Sequence, residues 1–552
     1  MSAFQGVEGL TLQRVADAVY KFGPVSVALT LGGVALLALI IDYSWMLYMH
    51  YQMPPGPLPL PIIGNTHLLP ENKPWIYFEQ VAKDYKSPVI TFWIGRNPTV
   101  WINDAWSANE LFDKKAGIYS SRPRMLVFAE LSGRSNAHLV SMKYGERWRV
   151  HRKLTHHMVG TQKVRDYRDL QNNESKVMAA AILERPKDYV AHLERYATSV
   201  VSIVGFGRRV ASEQDPIITE VIAHMPMVME SFPILSKLPT FINPYLKPFK
   251  HSGRGSQFFL ALAHEANDTV VQEPCTVKQL FKERPKYQLT DEEVASLTAN
   301  LFGAGSDTSS STLITFVLAC CAFPDVLPAA WAELDRVVGP HRSPHFDDEP
   351  NLPYIKAFAD EVLRWRSVAI IGGQPHAPIQ DDRWNGYLIP KDSWVQGNVW
   401  AIHHSEKEFP DPDRFNPNRF LKGHVDSRPF PTEKGRMTFG WGRRVCSGQA
   451  LAEQGTFISV ARMLWAFRIC KARDAQGKEV PVDIFNYTNG LNMRPQPFEC
   501  QFLPRSEEIR QTIVNEGKKA LEDLSIYDGE TAYRMSTIYE KPTLGGWEKN
   551  IK

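Results

Sequence analysis

Phe439-Gly440-Trp441-Gly442-Arg443-Arg444-Val445-Cys446-Ser447-Gly448 is the stretch on which the reading of this chain turns. It sets one cysteine between glycines, directly ahead of an apolar helical run over residues 449–467. A thiolate there gains from the helix N-terminal dipole and from backbone N–H groups that have no other partner. Gly442 can take the positive φ of a turn, and Gly448 lets the backbone come close to a flat ligand. Phe439 can shield the sulfur, while Arg444 can pair with a carboxylate. Most lone cysteines are simply buried in a core. Here five positions fit F-x-x-G-x-R-x-C-x-G, and chemistry becomes the expectation.

Outside this string the composition narrows the field. The 552 residues allow three or four domains, or one large domain with appended segments. Apolar residues make up 43% and charged residues 22%, ample for a core. Lys plus Arg is 63 against 60 for Asp plus Glu, a net +3 that argues against nucleic-acid binding by bulk charge. The cysteines (Cys275, Cys320, Cys321, Cys446, Cys470, Cys500) are too few and scattered for a disulfide framework. No CxxC or HExxH pattern is present, which removes the zinc-finger and zincin motifs.

Three further strings carry chemistry. Ala304-Gly305-Ser306-Asp307-Thr308 lies inside a run over 291–323 long enough for a spanning helix, although alone it would read as a polar loop. Glu361-Val362-Leu363-Arg364 puts opposite charges at i, i+3 on one helix face, and Arg419 in Phe415-Asn416-Pro417-Asn418-Arg419-Phe420 follows. E-x-x-R by itself selects nothing, because Glu146/Arg149, Glu333/Arg336 and Glu507/Arg510 also fit it. Trp148-Arg149-Val150-His151-Arg152 aligns an indole N–H and a guanidinium at i, i+4. Gln374-Pro375-His376 adds a further donor.

In this order the strings resemble the signatures of the cytochrome P-450 monooxygenases, over residues 54–505. Ser447 departs from the proline that many members carry. The resemblance implies a mainly α fold: a large helical domain with a small β-rich subdomain, and haem between a long central helix and the cysteine loop. It implies Cys446 as the axial ligand of the haem iron, with Phe439 and Gly448 beside it. Asp307 and Thr308 become the acid–alcohol pair that relays protons to dioxygen, in a distorted turn where Ala304 and Gly305 leave room. Trp148, Arg152, His376 and Arg444 become haem-propionate contacts, and Glu361, Arg364 and Arg419 a structural cluster on the proximal side. Residues 124–139, 225–232, 368–373 and 488–491 become candidates for lining the substrate site.

The implied reaction inserts one oxygen atom of O2 into an apolar small molecule, the other leaving as water. Gly-Arg-Arg-x-Cys, the run Gly305-Ser306-Asp307-Thr308-Ser309-Ser310 and Asn489-Gly490 ahead of Pro497-Phe498 are most similar to fungal members that tailor polyketide or aromatic secondary metabolites. A haem-thiolate isomerase or dehydratase, and a haem-binding carrier or sensor without turnover, are the alternatives. No Walker sequence is present, and Gly440-Trp441-Gly442 lacks the later glycine of a dinucleotide fingerprint. Electrons are therefore expected from a separate NADPH-cytochrome reductase, with cytochrome b5 as a second donor. Arg147, Arg149, Arg152 and Lys153 offer a basic face for such an acidic partner; a solvated helix face explains the exposed ones equally well.

The ends of the chain read separately. Residues 25–41 are free of charge and, continued past Asp42 by Trp45 and Tyr48, are long enough to cross a bilayer. A signal peptide would be shorter and nearer the start. The expected organisation is a tail 1–24, a single membrane anchor 25–48, a proline-rich hinge 49–65, a catalytic domain 66–505 and a C-terminal tail 506–552 holding one helix over 507–524. The hinge reads as a semi-rigid spacer, with an SH3-type ligand as the other reading of its prolines. The family resemblance implies the endoplasmic reticulum membrane with a cytosolic catalytic domain. Arg14 and Lys21 precede the anchor, and no Lys or Arg follows until Lys73, a charge pattern that favours the opposite orientation. Early in the body a helix is expected over 75–85 and a hairpin across Arg96-Asn97-Pro98, and 225–250 reads as short apolar broken helices. The sequons at Asn173, Asn267 and Asn486 read as chance matches.

Overall fold

The structure, a computed structural model, describes residues 23–125, 138–212, 215, 253–268, 275–423, 429–489, 492–529 and 531. Helix α1 (Pro24–Gln52) begins with proline at a position where no N–H is needed. It is long and apolar enough to cross a membrane. Its last turns behave differently: Met46 and His50 are buried. Met46 and Met53 share one buried cluster with Trp93, Ile402 and Trp441, and Arg96 pairs with Asp42 at 2.5 Å.

The proline-rich stretch lies against the body rather than standing free of it. Prolines have no N–H to give, so the sheet donates: Thr91 N–H reaches the Pro55 carbonyl at 3.0 Å. The amide of Asn65 donates to the carbonyls of Pro57 and Leu58. A Cβ on Gly56 would sit 1.9 Å from the Thr91 carbonyl oxygen, so glycine alone permits this approach.

Helix α2 (Pro74–Asp84) leads into β1 (Val89–Ile94) and β2 (Asn97–Ile102), which pair antiparallel. Ile94 pairs with Asn97, so the turn is Gly95-Arg96 and not Arg96-Asn97-Pro98. Gly95 at φ 57° supplies the positive φ that a two-residue hairpin turn requires. A third strand, β3 (Trp394–Gly397), joins β2 in parallel.

The helical mass comprises α3 (Glu146–Val159), α4 (Arg168–Glu184), α5 (Tyr189–Phe206), α6 (Gly253–Asp268), α7 (Thr276–Tyr287), α8 (Asp291–Ala322), α9 (Leu327–Val337), α10 (Pro353–Trp365) and α11 (Gln449–Ala466). At its centre runs α8. Thr290 caps it, accepting from Glu293 N–H while the Glu293 carboxylate accepts from Thr290 N–H. The acidic first turn, Asp291 to Glu293, suits the positive end of the helix dipole. Its second half, from Leu313 to Cys321, packs in one core with residues of α4, α5, α10 and α11.

After α11, β4 (Phe467–Lys471) and β5 (Cys500–Pro504) form an antiparallel pair. The segment expected as a tail from 506 is part of the body through its first half. Helix α12 (Glu507–Leu524), capped by Ser506, buries Ile509, Ile513, Ala520 and Leu524. Gly517 brings it so close to α4 that an added Cβ would lie 2.6 Å from Cβ of Ala180.

Candidate active site

A cavity of about 340 Å³ opens between α8 and the loop ahead of α11. Phe439, Arg444, Cys446 and Gly448 line it from the loop; Ala304, Gly305 and Thr308 line it from α8. Cys446 N–H donates to the Phe439 carbonyl at 2.8 Å, closing the loop. The sulfur faces the cavity, with the backbone N–H groups of Gly448 and Gln449 directed at it. Cys446 is open to the cavity but withdrawn from bulk solvent; that desolvation raises the pKa of the thiol, and those N–H groups and Arg152 act the other way. Gly442 is demanded by geometry: φ is 53°, and a Cβ would stand 2.2 Å from the Phe112 carbonyl oxygen. Gly448 has an ordinary φ of −88°, so its conformation does not itself demand glycine.

One side of the cavity is cationic. The Arg444 guanidinium donates to the carbonyls of Ser120 (2.7 Å), Leu139 (3.2 Å) and Met142 (2.7 Å). Arg122, which sequence reasoning missed, is buried and donates to the carbonyls of Val140, Gln374 and Pro375. Arg152 also faces in. Burial and the neighbouring guanidiniums pull Arg444 down to about 8 and Arg122, by burial alone, to about 10. For Arg152 burial likewise lowers the pKa, with only the Cys446 sulfur acting the other way. His376 gives Nδ1–H to the Tyr119 carbonyl at 2.8 Å, and burial holds its pKa well below the usual value. Trp148 lines the wall with a buried Nε1–H that has no hydrogen-bond partner among the described residues. Crowded cations, of which Arg122 and Arg444 have only carbonyl acceptors among the described residues, and a donor without one there, fit a ligand carrying carboxylates along one edge. Haem is such a ligand, and the residues present fit it.

The acid–alcohol pair is divided. Thr308 lines the cavity and donates its hydroxyl to the Ala304 carbonyl at 2.6 Å. Asp307 is not on the cavity wall; its Oδ2 accepts from Nδ2 of Asn492 at 2.6 Å. The distorted turn expected here is absent, since α8 runs through it unbroken. Gly305 has a second use besides space: a Cβ there would meet Cγ1 of Val201 at 2.5 Å, so it also sets the approach of α5 to α8.

Glu361 and Arg364 are both fully buried and share two hydrogen bonds, at 2.7 and 2.8 Å. Arg419 lies 3.5 Å from Glu361 and donates to the carbonyls of Pro410 and Asp411. His403 joins this group without any warning in the sequence. Its Nε2 accepts Met437 N–H at 2.9 Å and its Nδ1 bonds Ser367 at 3.0 Å, just past α10, whose Leu363 carbonyl takes the Ser367 hydroxyl hydrogen.

Of the expected lining segments, Val368, Ala369, Gly372 and Gly373 are on the wall, as is Leu139. Residues 126–137, 225–232 and 490–491 lie outside the described residues. Thr488 and Asn489 are not on the wall. Along α3, Arg147 is engaged by Glu293 and the carbonyls of Tyr287 and Gln288. With Arg152 turned inward, Arg149 and Lys153 remain exposed.

The chain is similar to known proteins. The family model for cytochrome P450 matches residues 54–502. Cytochrome P450 monooxygenase virE of Hypocrea virens is 35% identical over 484 residues, covering 84% of this chain and 87% of that protein. Cytochrome P450 monooxygenase fogE of Aspergillus ruber is 32% identical over 535 residues, covering 92% and 97%. Cytochrome P450 monooxygenase verL of Clonostachys rogersoniana is 34% identical over 505 residues, covering 85% and 90%. The chain belongs to the cytochrome P450 family. It is a monooxygenase, and its cofactor is haem held by a cysteine thiolate.

Proposed function

We propose that Cys446 is the haem ligand and that the enzyme oxygenates an apolar small molecule, a polyketide or aromatic intermediate of secondary metabolism. The observation that carries this is the facing of Cys446 and Thr308 across one cavity with a cationic edge that, among the described residues, carries no carboxylate. Haem, when bound, supplies dioxygen activation, and electron donation from the thiolate favours O–O cleavage. Arg122, Arg152, Arg444, Trp148 and His376 would hold the propionates and so orient the ring. Thr308 and Asp307 would hold and move protons on the opposite face. Glu361, Arg364 and Arg419 would keep the cysteine loop in register without touching the reaction.

The family works with a redox partner, O2 and a substrate. For this chain we read the partner as an NADPH-cytochrome reductase, assisted by cytochrome b5, docking where Arg149 and Lys153 are exposed. We read α1 as a single membrane anchor, in the endoplasmic reticulum with the body in the cytosol, despite the flanking charges. The test is NADPH and O2 consumption by the membrane-bound enzyme reconstituted with reductase, together with the metabolite that accumulates when this chain is removed from its host. A haem-thiolate isomerase or dehydratase would convert its substrate without consuming either, and a carrier would show no turnover. The presence of both Asp307 and Thr308 in the sequence favours the oxygenase.

A further inference from the structure

Asp307 and Asn492 are far apart in the sequence, and a single bond joins them, Nδ2 to Oδ2 at 2.6 Å. Asn492 is held in place by a loop with its own framework. Thr488 N–H donates to the Arg494 carbonyl at 2.8 Å, and Arg494 N–H returns to the Thr488 hydroxyl at 3.1 Å. The Arg494 guanidinium pairs with Glu194 on α5. Next to Asn492, Met493 N–H donates to the carbonyl of Val368 at 2.8 Å, and Val368 is a wall residue of the cavity. The amide therefore reaches Asp307 from a loop fastened to the cavity wall.

At the other end of this bond the chemistry is restricted. The Thr308 hydroxyl hydrogen is committed to the Ala304 carbonyl, leaving its oxygen lone pairs to accept. Asp307 is exposed and off the cavity wall, and the group holding it there is an amide, which donates a hydrogen bond but gives up no proton. The orientation of the carboxylate thus depends on a residue that takes no part in the transfer itself.

We infer that Asn492 is a positioning residue for proton delivery: its amide fixes the Asp307 carboxylate, which stands off the cavity wall one residue before Thr308, and ties that orientation to the loop packed on the wall. This rests on the reading of Asp307 as the relay acid. In the full reaction O2, two electrons and two protons convert substrate R–H to R–OH and water. The protons come from solvent, and Asn492 supplies none. When proton delivery fails, two electrons and two protons leave with O2 as hydrogen peroxide.

The test uses the full-length holoenzyme in membranes with NADPH-cytochrome reductase; without R–H, O2 that does not leave as peroxide is reduced to two waters by four electrons and four protons, so no identified substrate is needed. Peroxide formed per NADPH consumed measures the failure of proton delivery. Wild type, Asn492→Ala, Asn492→Asp and Asp307→Asn are compared, with haem content and the infrared carboxylate bands as readouts that do not depend on turnover. Asn492→Ala should raise peroxide per NADPH about threefold at unchanged haem content, as a displaced general acid would. It should also shift the carboxylate band that disappears in Asp307→Asn. Asn492→Asp has the same size and sets carboxylate against carboxylate. Its peroxide fraction should become pH-dependent, lowest in acid where the two oxygens share a proton. A purely structural Asn492 would change stability or haem content and leave the peroxide fraction and its pH profile flat. If Asp307→Asn leaves the fraction unchanged, the relay reading fails and this inference with it. If Asp307→Asn raises it while both Asn492 variants match wild type, the inference alone is overturned.

Discussion

The guanidinium carbon of Arg444 lies 4.3 Å from the centroid of the Trp148 indole. One residue comes from the cysteine loop and the other from α3, and the contact brings a cation and an unpaired N–H to the same edge of the cavity. A ring face attracts a cation but leaves its charge uncompensated. The pair is therefore a socket that an anion completes. Arg444→Ala and Arg152→Ala should lower haem per protein, each losing a charge-assisted bond worth about 1.5–3 kcal/mol. Arg147→Ala should instead lower thermal stability, because its partner is Glu293 at the start of α8, with normal haem content in the folded fraction. Haem-to-protein ratios after gel filtration check this; equal losses in all three variants would sink it.

Replacing Cys446 with His should abolish the red-shifted Soret band of the reduced, carbon-monoxide-treated protein, while replacing Cys470 or Cys500 should leave it. Only Cys446 among the cysteines lines the cavity. Survival of that band in Cys446→His would move the ligand elsewhere.

Thr308→Ala should keep haem and the fold yet divert NADPH to peroxide, by about tenfold or more if its hydroxyl serves as an acid–base group. The bond to Ala304, taken alone, predicts only a small stability change. Thr308→Ser should restore coupling.

Glu361→Gln should prevent accumulation of folded holoenzyme. The carboxylate is fully buried and serves Arg364 and the N–H of Asn416 together. Breaking such a pair leaves a buried guanidinium uncompensated and costs about 3–5 kcal/mol. Soluble protein with a normal spectrum from Glu361→Gln would show that this cluster is dispensable.

Acid should destabilise the fold before its carboxylates titrate. His404 gives Nδ1–H to the Trp400 carbonyl and accepts from Arg366 at Nε2, which also lies 3.5 Å from Asp413 Oδ1, so protonation sets Nε2–H against the Arg366 donor and leaves it to be donated to Asp413. Burial foremost pulls its pKa from 6.5 to about 4. Between those values the unfolded chain binds the extra proton, so stability is full above 6.5 and falls as pH drops toward 4. The loss amounts to about 3 kcal/mol. Asp413, held at about 2 by its hydrogen bond to His404, adds stability that is lost only in a lower window, as pH falls below 3.8. Melting temperature against pH should show the upper limb flattened in His404→Gln.

Legibility in the sequence followed the range of the interaction. The cysteine loop could be read because Gly442, Arg444 and Cys446 are needed at fixed local spacing, and α8 because its acidic start and a long body whose one charge is Asp307 are contiguous. The Glu361–Arg364 contact is local too, at i, i+3. Arg122 was illegible: it acts through carbonyls at Gln374 and Pro375, and a lone Arg before Pro123 gives no sign of it. Asn492 and His403 have the same character, single polar residues whose partners arrive from distant segments. The turn at Gly95-Arg96 was misplaced because Asn97-Pro98 is a strong turn dipeptide in isolation, and strand pairing overrode it. The docking of α12 was missed because amphipathic spacing announces a helix without naming its partner.

The burial of Met46 and the Asp42–Arg96 pair decide where the chain can be shortened. A truncation in the proline-rich stretch, the obvious choice for a soluble version, would remove Met46 and Met53 from beside Trp93 and Trp441 and strand Arg96. A cut upstream of Tyr43 and Asp42, which leaves those turns on the body, respects the core. The same docking removes a swivel: whatever surface grips the exposed part of α1 also sets the tilt of the whole enzyme above it.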